Sequence, residues 1–184
     1  FAAYDPYNHK FGVKTNLSFQ SAALSRGEVS LIVTFYEVIR QVLEHAHERV
    51  IVFESDVVLR PDFLPRLESV LKGLPGEGEG GWDYVSLSEG VGTRPKEVEP
   101  AATYFGPQKL FKPPHQWVFR CCDSNLFHLR FLKKVWGTLL PCRECLDWEM
   151  NLQMLVHKGV PLWTDPPLSE PATGRGRYAT SLPT

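Results

Sequence analysis

The chain lacks any apolar run long enough to span a bilayer, because charged residues interrupt every candidate segment of its 184 residues. It also lacks a charge excess: the formal net charge of −1 gives no reason to expect a nucleic acid or an acidic membrane as a partner. No internal repeat and no signal-peptide pattern is present, and the start at Phe1 leaves room for a leader, an anchor or an earlier domain. The length and a hydrophobic content of 43% predict one domain, residues 1–184, with a sizeable core.

Cysteine is scarce, and its arrangement argues against a zinc site. Cys121 and Cys122 form a vicinal pair, while Cys142 and Cys145 form a CxxC pair. Structural zinc needs a tight framework of four ligands, which a vicinal pair rarely supplies. One or two disulfides in an oxidising compartment are a stronger hypothesis, and buried thiols are the interpretation that we favour.

Apolar periodicity divides the chain into alternating helices and strands. Helical spacing predicts helices over residues 28–47, 63–71, 125–138 and 146–157. Short runs of β-forming residues predict strands over residues 49–53, 82–87, 117–122 and 160–163. This alternation predicts an α/β fold with a mostly parallel sheet flanked by helices.

The most informative motif is Glu54-Ser55-Asp56, which follows the apolar run 49–53. Consecutive β-formers that end in two carboxylates indicate a buried parallel strand whose carboxyl end opens into a cleft. Two acids separated by one residue suit a hard divalent cation that is shared with phosphate oxygens. The local pattern leaves an alternative open, in which the two carboxylates simply end the strand and cap the next helix.

Several short motifs along the chain occur in an order that is known from one group of enzymes. They are Gly27-Glu28 at a helix start, Glu54-Ser55-Asp56-Val57 at a strand end, Trp82–Leu87, Asp123–Leu129, Leu146-Asp147-Trp148 and Pro166-Pro167-Leu168. Their order over residues 26–170 resembles the glycosyltransferases of the GT-A fold, particularly family 25, which includes lipooligosaccharide and collagen galactosyltransferases. That family usually has a third acid where this chain has Ser55, a position that the DxD signature leaves variable.

The resemblance implies a Rossmann-like GT-A domain whose first βα unit is absent or incomplete in this chain. It implies a hexosyl-type glycosyltransferase that moves a sugar, with inversion, from a UDP-linked nucleotide-sugar donor to a hydroxyl of a glycan or glycoprotein acceptor. Mn²⁺ or Mg²⁺ would offset the charge of the leaving diphosphate. The compartment stays open: the lumen of the endoplasmic reticulum or Golgi for a eukaryotic protein, the cytoplasm for a bacterial or viral one.

The resemblance assigns the metal site to the strand end. Asp56 is the first candidate for a direct ligand and Glu54 the second, with Ser55 between them as part of the cofactor site. His157 is a candidate for a third ligand late in the chain. A polar position on an exposed helix face is the simpler explanation of His157.

Catalytic and substrate-binding candidates lie in the second half of the chain. Inverting transfer needs a general base for the acceptor hydroxyl, and Asp147 is the candidate, with Glu149 as the alternative. Both acids are also explained as helix-terminal residues that the helix dipole favours. Trp148, beside the candidate base, is expected to stack on a sugar ring, and Asp123 and Asn125 are further substrate-binding candidates.

Two other functional classes fit parts of the same pattern. The first is a non-catalytic GT-A-like domain that binds sugar or assists a neighbouring enzyme. The second is a phosphate-processing hydrolase that uses the metal site at Glu54 and Asp56. The hydrolase needs more converging carboxylates or histidines than the sequence places.

Overall fold

The computed structural model describes residues 24–76, 80–88, 107–113, 118–119 and 121–172. Its helices are α1 (Arg26–His45), α2 (Phe63–Lys72), α3 (Leu129–Trp136) and α4 (Leu146–Val156). Its strands are β1 (Arg49–Phe53), β2 (Val57–Leu59), β3 (Tyr84–Ser86), β4 (Lys109–Phe111), β5 (Ser124–His128), β6 (Pro161–Asp165) and β7 (Ser169–Pro171). The protein is therefore a mixed α/β structure, as the alternating patterns in the sequence predict.

Helix α1 begins at a capping box and ends at a left-handed residue. The Ser25 Oγ accepts a hydrogen bond from the Glu28 N–H at 3.2 Å, and Glu28 Oε2 accepts one from the Ser25 N–H at 2.6 Å. This reciprocal pair satisfies two donors that the first turn would otherwise leave without partners. Apolar residues at helical spacing, among them Ile32 and Ile39, are fully buried. Ala46, with a φ of 52°, follows the helix just before β1.

The main sheet has five strands in the order β1-β5-β3-β6-β4. β5 pairs antiparallel with both β1 and β3, β4 pairs antiparallel with β6, and the pairing of β3 with β6 is parallel. The expectation of a mostly parallel sheet is therefore wrong. The cause is β5, which is inserted between β1 and β3 in the opposite direction. β1, β3 and β6 nevertheless all run the same way.

The helix predicted over residues 125–138 is in fact a strand followed by a shorter helix. Ser124 and Asn125 have modest helix propensity, and their segment pairs with a strand on each side. His128 then caps α3, because its Nδ1 accepts a hydrogen bond from the Arg130 N–H at 3.1 Å. Pairing of the backbone between two strands has overridden the local helical pattern.

The strand predicted over residues 117–122 is not found in its described part. Val118, Phe119, Cys121 and Cys122 lie outside the strands, and residues 117 and 120 lie outside the described residues. The remaining predicted helices, 28–47, 63–71 and 146–157, and the strands 49–53, 82–87 and 160–163 are confirmed, with no end displaced by more than two residues. In the described ranges, no helix combines the length and apolarity needed to cross a membrane.

Apolar side chains fill both faces of the main sheet. On one face, Val50, Tyr84 and Phe127 belong to a cluster with α1, α3 and α4. On the other face, Ile51 and Leu126 belong to a cluster with α2. This division follows strand geometry, in which successive side chains point to opposite faces. β2 and β7 pair with each other in a separate two-stranded sheet.

Candidate functional site

The carboxyl ends of β1 and β3 meet the amino end of β5 at one edge of the sheet, because β5 runs opposite to both neighbours. Glu54 follows β1, Ser88 lies two residues beyond β3, and Asp123 precedes β5. The Glu54 N–H donates to the Asp123 carbonyl at 2.9 Å, and the Ser88 hydroxyl donates to Asp123 Oδ1 at 2.7 Å. Residues that are far apart in the sequence therefore form one contiguous polar edge.

Helix α4 adds a further acid to this edge. Asp147 lies in the first turn of α4, and the negative charges of Asp123, Asp56 and Asp147 all raise the pKa of Glu54. Charges influence one another in this way only when they lie close together. We call Glu54, Asp56, Asp123 and Asp147 the acidic edge.

Glu54 has the most strongly shifted pKa in the acidic edge. Burial is the largest cause, followed by the charges of Asp123, Asp56 and Asp147, and together they raise the pKa of Glu54 to about 7. Desolvation and like charges both disfavour the ionised carboxylate. A carboxyl group that titrates near neutral pH beside other acids is typical of functional sites. A cation bound at this edge would offset the repulsion.

Asp123 is buried with one carboxylate oxygen unsatisfied. It has 0% of its surface exposed, and its Oδ2 has no hydrogen-bond partner among the described residues. Burial raises the pKa of Asp123, and the hydrogen bond from Ser88 opposes this rise. An unsatisfied buried polar atom costs about 1–3 kcal/mol. A bound cation or a ligand hydroxyl at Oδ2 would remove that cost.

Asp147 keeps one carboxylate oxygen available while the other is fixed. Its Oδ1 accepts hydrogen bonds from the Cys145 thiol at 3.0 Å and from the Trp148 N–H at 2.9 Å. Burial, the hydrogen bond to Asp147 and the charge of Asp147 raise the pKa of Cys145 to about 12, so the thiol stays protonated and donates. No hydrogen bond to Oδ2 of Asp147 occurs within the described ranges. This oxygen is the one that an acceptor hydroxyl could approach.

Trp148 lies beside Asp147 and exposes 51% of its surface. A large aromatic side chain with this exposure offers an apolar face to a ligand. The Trp148 N–H donates to Asp147 Oδ1, so the two residues are direct neighbours in the first turn of α4. Asn125 is placed differently: it is buried, and its Oδ1 accepts a hydrogen bond from the Tyr84 hydroxyl at 2.7 Å. We therefore do not retain Asn125 as a substrate-binding residue.

A tight turn presents Asp56 at the end of β1. The Val57 N–H donates to the Glu54 carbonyl at 3.3 Å, which places Ser55 and Asp56 in the two central positions of the turn. Ser55 is exposed and Asp56 half-buried. The Ala172 N–H donates to the Asp56 carbonyl at 2.9 Å, so the end of β7 supports the turn. The two outer acids of the motif thus share one short, braced segment.

The acidic edge carries carboxylate oxygens, the type of donor that hard cations take. In the described part of the chain, no group of three or more His, Cys, Asp or Glu side chains is arranged to hold a metal ion by itself. Mg²⁺ sites for nucleotides use one or two carboxylates together with substrate oxygens and water. The carboxylates of Glu54 and Asp56 match that donor set. The Oδ2 of Asp123, which has no hydrogen-bond partner among the described residues, is a further oxygen that a nearby cation would stabilise.

Glu149 is committed to a structural ion pair. It is fully buried, with 0% exposure, and its two carboxylate oxygens accept hydrogen bonds from the Arg143 N–H at 2.9 Å and from Arg143 Nη1 at 2.8 Å. Gln153 Nε2 also donates to it at 3.0 Å. A carboxylate whose two oxygens already accept three hydrogen bonds is poorly placed to take a proton from an acceptor. We therefore do not retain Glu149 as an alternative base.

His157 lies at the opposite end of α4 from the acidic edge. Ten residues separate it from Asp147, which is about 15 Å along a helix. Its Nε2 is 2.8 Å from the Thr138 hydroxyl, and burial and the charge of Lys134 lower the pKa of His157. The structure does not bring His157 to Glu54 and Asp56, so we do not retain it as a metal ligand.

Ser88 and Cys145 are residues of the site that sequence reasoning missed. Each donates a hydrogen bond to an acid of the acidic edge: Ser88 to Asp123 and Cys145 to Asp147. The position of Ser88 just beyond a strand was a signal for it, since ligand sites form where parallel strands end. The position of Cys145 directly before a helix was the corresponding signal, because residues there are well placed to reach the first turn.

The cysteines form no disulfide, and all four lie among the described residues. Cys122 and Cys142 are buried, and burial raises the pKa of the Cys122 thiol well above its usual range. The structure therefore agrees with the interpretation of these residues as thiols rather than as a cross-linked framework.

Comparison of the chain with protein-family models, with curated proteins and with solved structures finds no match. The case for a function therefore rests on the residues of the acidic edge.

Proposed function

We propose that the protein is a hexosyl-type glycosyltransferase. It would move a sugar, with inversion, from a UDP-linked donor to a hydroxyl of a glycan or glycoprotein. The observation that carries the proposal is the convergence of Glu54, Asp56, Asp123 and Asp147 at one sheet edge, where their charges raise the pKa of Glu54. These are the acids to which the family resemblance assigns the metal, substrate and base roles.

Two features of the fold support a GT-A-like arrangement. β1, β3 and β6 run in one direction, and the Glu54-Ser55-Asp56 motif follows the carboxyl end of the first of them. Ligands of open α/β sheets bind outside the carboxyl ends of such strands. Helices cover both faces of the sheet, which leaves its edge as the place where a donor nucleotide would bind.

Glu54 and Asp56 would hold Mn²⁺ or Mg²⁺, which supplies Lewis-acid assistance to departure of the diphosphate. The short turn that contains both acids keeps their carboxylates together. Asp123, with its unsatisfied Oδ2, would accept a hydrogen bond from a donor hydroxyl or contribute negative charge to the cation. Ser88 holds the Asp123 carboxylate through its other oxygen.

Asp147 is the base in this proposal. Its Oδ1 is fixed by the Cys145 thiol and the Trp148 N–H, so its second oxygen is oriented while remaining able to take the proton of the acceptor hydroxyl. The exposed ring of Trp148 would stack on the acceptor sugar and hold that hydroxyl near Asp147. Base and acceptor contact thus come from the first turn of one helix.

The direct test is release of nucleoside diphosphate from a panel of nucleotide sugars in the presence of Mn²⁺ and candidate acceptors. We expect release with one class of donor, dependence on divalent metal, and its loss in Asp56→Ala. Absence of release and of transfer with every donor and acceptor class, for a folded protein, would overturn the proposal.

The second candidate is a non-catalytic GT-A-like domain that binds sugar or assists a neighbouring enzyme. One observation favours it: no three metal-binding side chains are grouped in the described part of the chain. Trp148 would then serve sugar binding without turnover. Glycan binding that is abolished in Trp148→Ala but insensitive to chelators, together with no release of nucleoside diphosphate, would identify this function.

A further inference from the structure

The side chain of Asn151 in α4 makes four hydrogen bonds, all to two segments that adjoin the acidic edge. Its Oδ1 accepts from the Val118 N–H at 2.6 Å and the Phe119 N–H at 2.9 Å. Its Nδ2 donates to the Phe119 carbonyl at 2.9 Å and the Asp147 carbonyl at 3.0 Å. Two accepted and two donated bonds saturate a side-chain amide. The side chain is 2% exposed, so these bonds form out of contact with bulk water.

The two segments that Asn151 joins lead directly to acids of the acidic edge. Phe119 lies four residues before Asp123, and the other bonded carbonyl belongs to Asp147 itself. Residues 118–119 lie outside the helices and strands, so no ladder of backbone hydrogen bonds fixes them. The Trp163 indole N–H adds one further bond, to the Val118 carbonyl at 2.9 Å. The side chain of Asn151 therefore takes the place of a sheet ladder in this segment.

We infer that Asn151 is a positioning residue that fixes the segment leading to Asp123 against the first turn of α4, where Asp147 lies. The effect that we expect on catalysis rests on the proposed function. The structural role of Asn151 does not. Glu54 and Asp56 follow β1 and make no hydrogen bond to Asn151. Asn151 would thus control the distance between Asp123 and Asp147.

Gln153 provides a matched control on the same helix. It is also a buried amide, at 1% exposure, and its Nε2 donates to the Thr138 carbonyl at 3.1 Å and to Glu149 at 3.0 Å. Neither bond reaches the segment of Asp123 or the backbone of Asp147. Gln153→Ser removes a buried amide as Asn151→Ser does, and costs stability by the same mechanism, without releasing the acidic edge.

The first test does not depend on any enzymatic activity. Cys122 lies between Phe119 and Asp123, and it is buried and resists ionisation, so alkylation by iodoacetamide should be slow in the wild type. We expect Asn151→Ser to raise the labelling rate of Cys122 by about tenfold or more, because release of residues 118–119 exposes the thiol. Gln153→Ser should label at the wild-type rate. Equal labelling of Cys122 in the two variants would overturn the inference.

The second test concerns turnover. We expect Asn151→Ser to lower kcat by roughly 10²-fold, the effect of about 1 Å of misplacement. Gln153→Ser should keep kcat near the wild-type value. A rise in donor KM at constant kcat would overturn the inference. If Cys122 labelling responds as expected but the wild type transfers no sugar, the proposed function fails while the positioning role stands.

A third variant separates the hydrogen bonds that Asn151 accepts from those that it donates. Asn151→Asp keeps an oxygen for the N–H groups of Val118 and Phe119 and loses both donated bonds, including the one to Asp147. We expect Cys122 labelling close to the wild-type rate together with a lowered kcat. A kcat equal to that of the wild type in Asn151→Asp would overturn the inference.

Discussion

Arg143 and Glu149 form an ion pair around the start of α4, with the Arg143 Nη1 2.8 Å from Glu149 Oε1 and the Arg143 N–H 2.9 Å from Oε2. Glu149 is fully buried, whereas the Arg143 side chain is partly exposed. This pair holds the loop that precedes α4 against the helix, and Asp147 lies between its two members in the sequence. Glu149 therefore belongs to this ion pair, whereas Asp147, two residues before it, accepts hydrogen bonds from Cys145 and Trp148 instead.

The first prediction concerns the contribution of Glu149 to the stability of the fold. Glu149→Ala leaves Arg143 and Gln153 without their shared acceptor, and should lower the free energy of unfolding by about 2–4 kcal/mol, towards the lower end for a broken buried pair because Arg143 is partly exposed. Urea unfolding followed by circular dichroism measures this. Glu144→Ala, at an exposed neighbouring position, is the control and should change stability little. Wild-type stability in Glu149→Ala would contradict the structural role.

The second prediction assigns the base to Asp147. Asp147→Asn keeps the shape of the side chain but cannot accept the acceptor's proton, so turnover should fall by at least roughly 10²-fold. Donor affinity should change little, because the proposed function places the donor at the end of β1. Steady-state kinetics with the donor identified by the screen measures both quantities. Transfer at a near wild-type rate would place the base elsewhere, with Asp123 next to be tested.

The third prediction concerns the metal. Asp56→Ala removes one of the two carboxylates in the turn after β1, and should abolish Mn²⁺-dependent binding of UDP while leaving the fold intact. Calorimetric titration of UDP in the presence of Mn²⁺ measures the affinity, and Glu68→Ala, an exposed acid on α2, is the control. Unchanged UDP affinity in Asp56→Ala would show that the acidic edge does not bind the donor.

The fourth prediction is a fall in stability as the pH rises from 5 to 8. The pKa of Glu54 rises from 4.5 to about 7 on folding, so its protonated form stabilises the folded state. That contribution is fully present below about pH 4.5 and is lost as the pH rises through about 7. At about 1.4 kcal/mol for each pKa unit, the whole loss is on the order of 3–4 kcal/mol, and the part that falls between pH 5 and pH 8 is on the order of 2–3 kcal/mol. Asp123, whose pKa is also raised, adds in the same direction.

Glu54→Gln isolates the contribution of Glu54 to this fall. Glutamine does not titrate, so the difference in unfolding free energy between pH 5 and pH 8 should shrink in the variant. Urea unfolding at both pH values, with a chelator present, provides the measurement. An equal pH dependence in wild type and variant would show that Glu54 is not the titrating group.

The sequence predicted the acidic edge better than it predicted the sheet. A strand that ends in Glu54-Ser55-Asp56 is a local pattern, and so is a helix that begins near Asp147; both are confirmed as structural elements. The strand Ser124–His128 could not be recognised, because its pairing with β1 and β3 depends on residues about 40 and 75 positions away. The pairing of Asn125 with Tyr84 depends on the same long-range contact. The distance of His157 from Asp147, in contrast, follows from the length of a helix that the sequence did predict.

Glu149 illustrates a second limit of the sequence. Nothing in its local pattern distinguishes it from Asp147, since both are acids in the first turn of one helix. The distinction comes from the direction of the side chains: Asp147 is half-buried beside an exposed Trp148, and Glu149 points into the protein towards Arg143. Helical rotation of about 100° per residue produces this difference.

The antiparallel insertion of β5 has a consequence for the order of folding. Asp123 reaches Glu54 only after β5 has paired with β1, a contact across about 70 residues of chain, and such contacts form slowly because the intervening loop must first close. Asp147 comes close to Glu54 only after α4 has packed against the rest of the protein. A folding intermediate that contains α1 and β1 alone would carry Glu54 with a pKa near its ordinary value of 4.5. The near-neutral titration of Glu54 is therefore a spectroscopic marker for the last, non-local stage of folding.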